Sequence, residues 1–277
     1  MTGSPIILPF FSMGLDTYEV PADFHKNNRI KLMNAIIGSS SPSNSKNTVV
    51  FLVGGTNPNR NDTDHEPIFR QESYFHYLFG VKEPDFVGLI HIQSGHQNTV
   101  LFIPRLPSEY ATFMGAILTP DEYKDMYQVD ECYYVDEVTE YLKKIQGQNG
   151  DDGCLSIMLL EGLNTDSGNM YSSESAKKFI PDELGDAIDI DTLFPLLVEC
   201  RVIKSEQELQ LMRHVAELSS DAHVYVMREC KPGMAEWQLE ALFRHYIYFY
   251  HGCRQVSYTP ICACGPNSSV LHYGHGM

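Results

Sequence analysis

The chain has 277 residues, long for one domain and comfortable for two. With 43% hydrophobic and 20% charged residues, 16 Tyr and 14 Phe, it can bury a core, which excludes wholesale disorder. The net charge of −16 excludes a generic DNA- or RNA-binding surface, because phosphate contacts need clustered Lys and Arg.

The apolar start Ile6-Ile7-Leu8-Pro9-Phe10-Phe11 is short and has no Lys or Arg before it, so it reads as a packed arm rather than a signal peptide. Pro21 to Ile37 has helical spacing, with Phe24, Leu32, Ala35 and Ile36 near one face, Pro21 suiting the first turn and Gly38 the position past the end. The serine-rich 39–45 stretch is a loop. Thr48 to Val53 is a buried strand ending at Gly54-Gly55. Val87–Ile92 and Thr99–Ile103 form a hairpin through Ser94-Gly95, and Cys132–Val135 and Leu155–Leu160 are further strands. Asp136 to Ile145 between them is helical in spacing. Strands alternating with helices over the first 190 residues predict an α/β layered domain.

Residues 201–277 hold equal numbers of basic and acidic side chains, so the whole −16 falls on residues 1–200, and that step predicts a boundary near 200. Ser205-Glu206-Gln207-Glu208 has the form of a capping box at the head of a helix that Lys231-Pro232-Gly233 stops. A second helix is predicted from Met234 to Tyr250, then strands over Val256–Cys264 and Val270–Tyr273. Two helices and a hairpin make a meagre core for an independent domain, so this segment reads as the opening of a larger one and is expected to be loosely ordered.

No apolar run reaches the ~18 residues a membrane helix needs, so no membrane partner is expected. The seven cysteines (132, 154, 200, 230, 253, 262, 264) are odd in number and irregular in spacing, which suits the reduced thiols of a cytoplasmic protein. The sequons at Asn61 and Asn267 then carry no glycan.

Common catalytic signatures are absent: no His-Glu-x-x-His, no Gly-x-Ser-x-Gly and no phosphate loop. Asp62-Thr63-Asp64-His65-Glu66 has the oxygens of a hard-cation site, but neighbours on a polar loop rarely converge, and a solvated loop is the preferred reading. Cys262-x-Cys264 with His272-x-x-His275 and Cys253 has zinc-ligand chemistry without the usual knuckle spacing, and a strand face is preferred. His272 is a side chain that can be poised near neutral pH, though a histidine between Leu and Tyr is more often a satisfied core residue. Glu199-Cys200-Arg201 with Lys204 reads as an interdomain salt-bridge cluster.

The run Phe69-Arg70-Gln71-Glu72-Ser73-Tyr74-Phe75-His76-Tyr77-Leu78-Phe79-Gly80-Val81-Lys82-Glu83-Pro84 resembles the amino-terminal domain of the Xaa-Pro dipeptidases (prolidases) and aminopeptidases P. The likeness continues in 101–107, 135–137, 164–168 and 199–202, reaches Ser257-Tyr258-Thr259-Pro260-Ile261-Cys262, and ends in Leu271-His272-Tyr273-Gly274-His275. It implies an α/β amino-terminal domain, a mixed sheet with flanking helices of the creatinase/prolidase type over residues 1–195, and the first part of an α+β pita-bread domain over 196–277. It further implies hydrolysis of dipeptides ending in proline by two manganese ions that activate a hydroxide, in a cytoplasmic homodimer.

The family's ligands are two Asp, one His and two Glu, all beyond the motif at 271–275, and residues 201–277 hold one aspartate, Asp221. The sequence as given therefore stops before the metal ligands, no catalytic or metal residue is assigned in it, no manganese is expected to bind it, and it is expected to be inactive alone. Three positions carry over as substrate contacts. His272 matches the histidine near the prolyl carboxylate, Tyr258 a tyrosine beside a metal-binding aspartate, and Phe113 stands where close relatives place Trp on a loop reaching the partner's active site. The alternative is a non-catalytic short product that dimerises through its amino-terminal domain. A Cys/His zinc module at 253–275 is a third reading.

Overall fold

The computed structural model describes residues 10–39, 47–93, 95–147 and 155–274. Most of the apolar start and of the serine-rich loop, Ser94, Cys154 and His275 lie outside these residues. The chain divides into two compact units, one of residues 22–203 and one of residues 10–21 together with 204–274.

The second unit begins with two paired antiparallel strands, β1 (Phe10–Phe11) and β2 (Val20–Pro21). Pro21 is thus part of a strand and not of a helix's first turn. The first unit opens with α1 (Phe24–Gly38), whose Phe24, Leu32 and Ile36 are buried as the spacing predicts. Then follow β3 (Asn47–Val53), α2 (Ser73–Phe79), β4 (Val87–Gln93), β5 (His96–Ile103), a single turn α3 (Ala111–Met114), α4 (Pro120–Tyr127), β6 (Glu131–Tyr134), α5 (Val138–Gly147) and β7 (Leu155–Leu159). Two short strands, β8 (Gly162–Leu163) and β9 (Met170–Tyr171), precede α6 (Glu174–Lys177), β10 (Ile188–Asp189) and α7 (Leu193–Val202).

Six strands form one mixed sheet in the order β10-β7-β3-β4-β5-β6. The pairs β3–β4 and β4–β5 are antiparallel, while β3–β7, β7–β10 and β5–β6 are parallel. Strands covered on both faces read as continuous apolar runs, which is why β3 and β7 were visible in the sequence. On one face Val49, Phe51, Leu89, Val100, Phe102 and Ile157 pack against Val138, Leu142 and Ile145 of α5. On the other, Gly88 of β4 leaves room for the ring of Phe79 on α2: a Cβ there would lie 2.4 Å from it.

The Phe69–Pro84 run has a structural explanation. Gln71 Oε1 accepts from Gly55 N at 2.6 Å, and its Nε2 donates to the Glu83 carbonyl at 2.9 Å, clamping the glycine turn after β3. Glu72 caps α2, accepting from Tyr74 N at 3.0 Å and Phe75 N at 2.7 Å. Gly80 ends that helix at φ 69°, a conformation that suits glycine. Arg29, fully buried, donates to the Leu78 carbonyl at 2.9 Å and the Gln128 carbonyl at 2.7 Å, joining α1 to the ends of α2 and α4.

Within the Glu199–Lys204 group, Cys200 and Arg201 make contacts inside the first unit. The Cys200 carbonyl accepts from Lys31 Nζ at 2.7 Å and Tyr77 OH at 3.0 Å, and Arg201 lies 4.3 Å from the centre of the Tyr74 ring. A cut between 195 and 196 falls inside α7. The units meet at 203/204, because Leu193, Leu197 and Cys200 of that helix are buried in the first unit.

The second unit continues with α8 (Glu206–Glu229) and α9 (Glu236–His245), followed by one π-helical turn over Tyr246–Tyr250. Its small core is Leu218, Ala222 and Ile247 with Phe243, Tyr246, Cys253 and Val256 packed against them. The segment 10–21 belongs here: Tyr18 stacks on His214 of α8 at 4.4 Å, and a Cβ on Gly252 would lie 2.7 Å from Met13 Cβ. The strands predicted over Val256–Cys264 and Val270–Tyr273 do not form. Residues 251–264 are irregular and Gly265–Ser269 is a short 3-10 helix. A strand needs a ladder partner for its backbone, and Pro260 removes a donor within the first of these stretches.

Candidate functional site

His272 and Tyr258 lie in the second unit and Phe113 in the first. All three are exposed: Phe113 is 85% accessible on the single turn α3, which Gly115 ends at φ 83°, and Tyr258 is 76% accessible. Among the described residues no hydrogen bond or ring contact joins Tyr258 to His272. The preference for a core histidine at 272 is overturned, because the burial falls on its neighbour, Tyr273.

Tyr273 is part of a buried polar cluster that the sequence reading did not single out. Its hydroxyl donates to Glu236 Oε2 at 2.5 Å. Glu236, the first residue of α9, also accepts through Oε1 from Cys264 N at 2.6 Å and Asn267 Nδ2 at 3.1 Å. Asn267 Nδ2 reaches Tyr273 OH at 3.0 Å. Both Glu236 and Tyr273 are buried. A carboxylate is tolerated there because it is surrounded by donors and stands at a helix N-terminus, where the backbone dipole favours negative charge. The available signal was weak: one Glu after Gly-Met-Ala, at a helix start.

Other donor groups do not converge. Among the described residues no group of three or more His, Cys, Asp or Glu is placed to hold a metal ion. The 62–66 loop is turned in on itself: Arg60 N donates to the His65 carbonyl at 2.8 Å, and Thr63 Oγ1 donates to the Arg60 carbonyl at 2.7 Å. Burial pushes the Cys253 and Cys262 thiols up, and Glu240 and Glu236 add to this at Cys262, which works against thiolate ligation. The described residues do not assemble the donor set of a two-metal centre. No helix among the described residues is long and apolar enough to cross a membrane.

The mixed sheet with flanking helices, followed by a helical unit, is the architecture of aminopeptidase P. The low-pH form of the Escherichia coli enzyme superimposes with a TM-score of 0.73 at 26% identity, covering 94% of this chain and 56% of that chain. Proline aminopeptidase P II from Yersinia pestis gives a TM-score of 0.69 at 25% identity, over 92% and 56%. The model of the aminopeptidase P N-terminal domain matches residues 25–152, and that of metallopeptidase family M24 matches residues 210–277. The chain belongs to the M24 metallopeptidases that carry an aminopeptidase P-type N-terminal domain. Xaa-Pro dipeptidases of Homo sapiens and Mus musculus are 40% and 38% identical to it over 267 and 269 residues. The chain spans about half the length of these curated relatives: the matches cover 96% and 97% of this chain, and 51% and 52% of theirs.

Proposed function

We propose that the chain serves a cytoplasmic, homodimeric Xaa-Pro dipeptidase that hydrolyses dipeptides with carboxy-terminal proline at a two-manganese centre. The observation that carries this is 40% identity to an Xaa-Pro dipeptidase across 96% of the chain, spanning both units. In this reading the exposed His272 imidazole donates to the prolyl carboxylate, the Tyr258 phenol donates to a ligand carboxylate, and Phe113 covers the partner's site with an apolar ring. The metal supplies a nucleophile at neutral pH when bound. In this reading residues 1–277 do not supply its ligands, and these residues alone are expected to be inactive.

Purified 277-residue protein, given Gly-Pro and manganese, is expected to release no proline above a metal-only control. Turnover at enzyme-like rates would overturn the inactivity. The intact mass of the native polypeptide completes the test: a mass well above that of 277 residues supports the dipeptidase. A native product of 277 residues that co-purifies with a longer subunit supports the second reading, a non-catalytic pairing module. The exposure of Phe113 (85%) and Met114 (68%) on one turn of the first unit favours that reading.

A further inference from the structure

Residues 264–273 are anchored at both ends by one carboxylate. Cys264 N at the start and Tyr273 OH at the end both donate to Glu236, and Asn267 Nδ2 joins them from the middle. Inside this span the backbone closes on itself. Asn267 N donates to the Cys264 carbonyl at 3.2 Å, Val270 N to the Asn267 carbonyl at 3.0 Å, and Ser268 Oγ to the Gly265 carbonyl at 2.6 Å. Unlike a strand, this loop gains no ladder bonds from a neighbour, so the Glu236 contacts supply what strand pairing would. His272 is the residue next to the pinned tyrosine, and its side chain stands in solvent while Tyr273 is 4% accessible.

We propose that Glu236 is a positioning residue for His272: by fixing Cys264, Asn267 and Tyr273 against the start of α9, it holds the imidazole in one orientation toward an incoming carboxylate. The carboxylate partner rests on the reading of His272 as the prolyl-carboxylate contact, whereas the anchoring does not. Glu236 is buried and acts on His272 through the loop. Tyr273 and Asn267 share the role, which gives the Asn267 amide a structural use.

The test is carried out on the full 277-residue chain labelled with 13C-histidine, with His272→Gln identifying the His272 resonance. The unaltered chain is expected to give one narrow His272 signal. Glu236→Gln removes the charge that the three donors share, and Tyr273→Phe removes one donor at constant shape. Both are expected to broaden or split that signal while signals of the first unit stay in place. Exchange of the Cys264 amide is expected to be about tenfold faster in Glu236→Gln, the consequence of losing a charge-assisted bond. Glu236→Asp should recover part of the narrow signal, which a general packing role would not produce. If Glu236→Gln unfolds the second unit, Tyr273→Phe decides alone. A His272 signal and a Cys264 exchange rate unchanged by Tyr273→Phe or by a folded Glu236→Gln overturn the proposal. Gly-Pro is then titrated into the unaltered chain. Movement of the His272 signal supports the carboxylate contact. No movement, with the signal still dependent on Glu236, overturns the substrate reading and leaves the anchoring standing.

Discussion

Acid should weaken the first unit through His25. This side chain is 7% accessible, its Nδ1–H donates to the Tyr77 carbonyl at 3.1 Å, and its ring meets that of His76 at 5.3 Å. Burial, then the neighbouring His76 and Arg29, pull its pKa down to about 3 against the partial opposition of the Tyr77 bond. Burial also lowers His76. In the unfolded chain His25 takes up a proton near pH 6.5, while in the folded chain it stays neutral until about 3. The stability it contributes is therefore intact above 6.5 and is lost progressively as pH falls toward 3. Each pH unit in that window removes about 1.4 kcal/mol, so moving from 6.5 to 4.5 removes about 2.7 kcal/mol. Many carboxylates titrate over the same range, so the quantity to measure is the difference from His25→Gln, which keeps a donor for Tyr77 and does not titrate. Native-state hydrogen exchange at the amides of β3 and β5 reports the first unit alone. Fluorescence of the single tryptophan, Trp237, reports the second unit and should show no His25 effect. Relative to His25→Gln, the unaltered protein should lose about 2–3 kcal/mol of stability between pH 7 and 4.5. Parallel pH curves would refute the claim that His25 is held neutral.

Two further substitutions probe the packing. Gly88→Ala puts a methyl 2.4 Å from the fully buried Phe79 ring, whose centre lies 4.9 Å from that of the tilted Phe75 ring. Overpacking of this kind costs about 1–3 kcal/mol, so urea unfolding of the first unit should shift by that amount, and an unchanged midpoint would show that α2 can move away. Ser205→Ala removes a cap in which Ser205 Oγ accepts from Glu208 N at 3.2 Å and Glu208 Oε2 accepts from Ser205 N at 2.7 Å. About 1 kcal/mol should be lost, seen as faster amide exchange in the first turn of α8 with the first unit unaffected.

What could be read from the sequence was local. The strands β3, β4, β5 and β7 are apolar runs whose burial follows from composition, and the capping box at Ser205 carries its own hydrogen bonds. The Phe69–Pro84 run carries the family resemblance in sequence, and the structure gives its residues a physical use: Gln71 and Glu72 fix a turn and a helix start. His272, Tyr258 and Phe113 were reached by resemblance and not by periodicity, since an exposed side chain leaves no pattern in an apolar sequence plot. Three features needed the tertiary structure. Residues 10–21 join the second unit because Tyr18 finds His214 and Met13 fits the space that Gly252 leaves, contacts across about two hundred positions of sequence. The 256–264 stretch has strand composition but gains no ladder, and composition cannot supply the partner that a strand requires. Glu236 looks in sequence like any helix-start carboxylate, and only the return of Cys264, Asn267 and Tyr273 to its two oxygens makes it the anchor of the loop that carries His272.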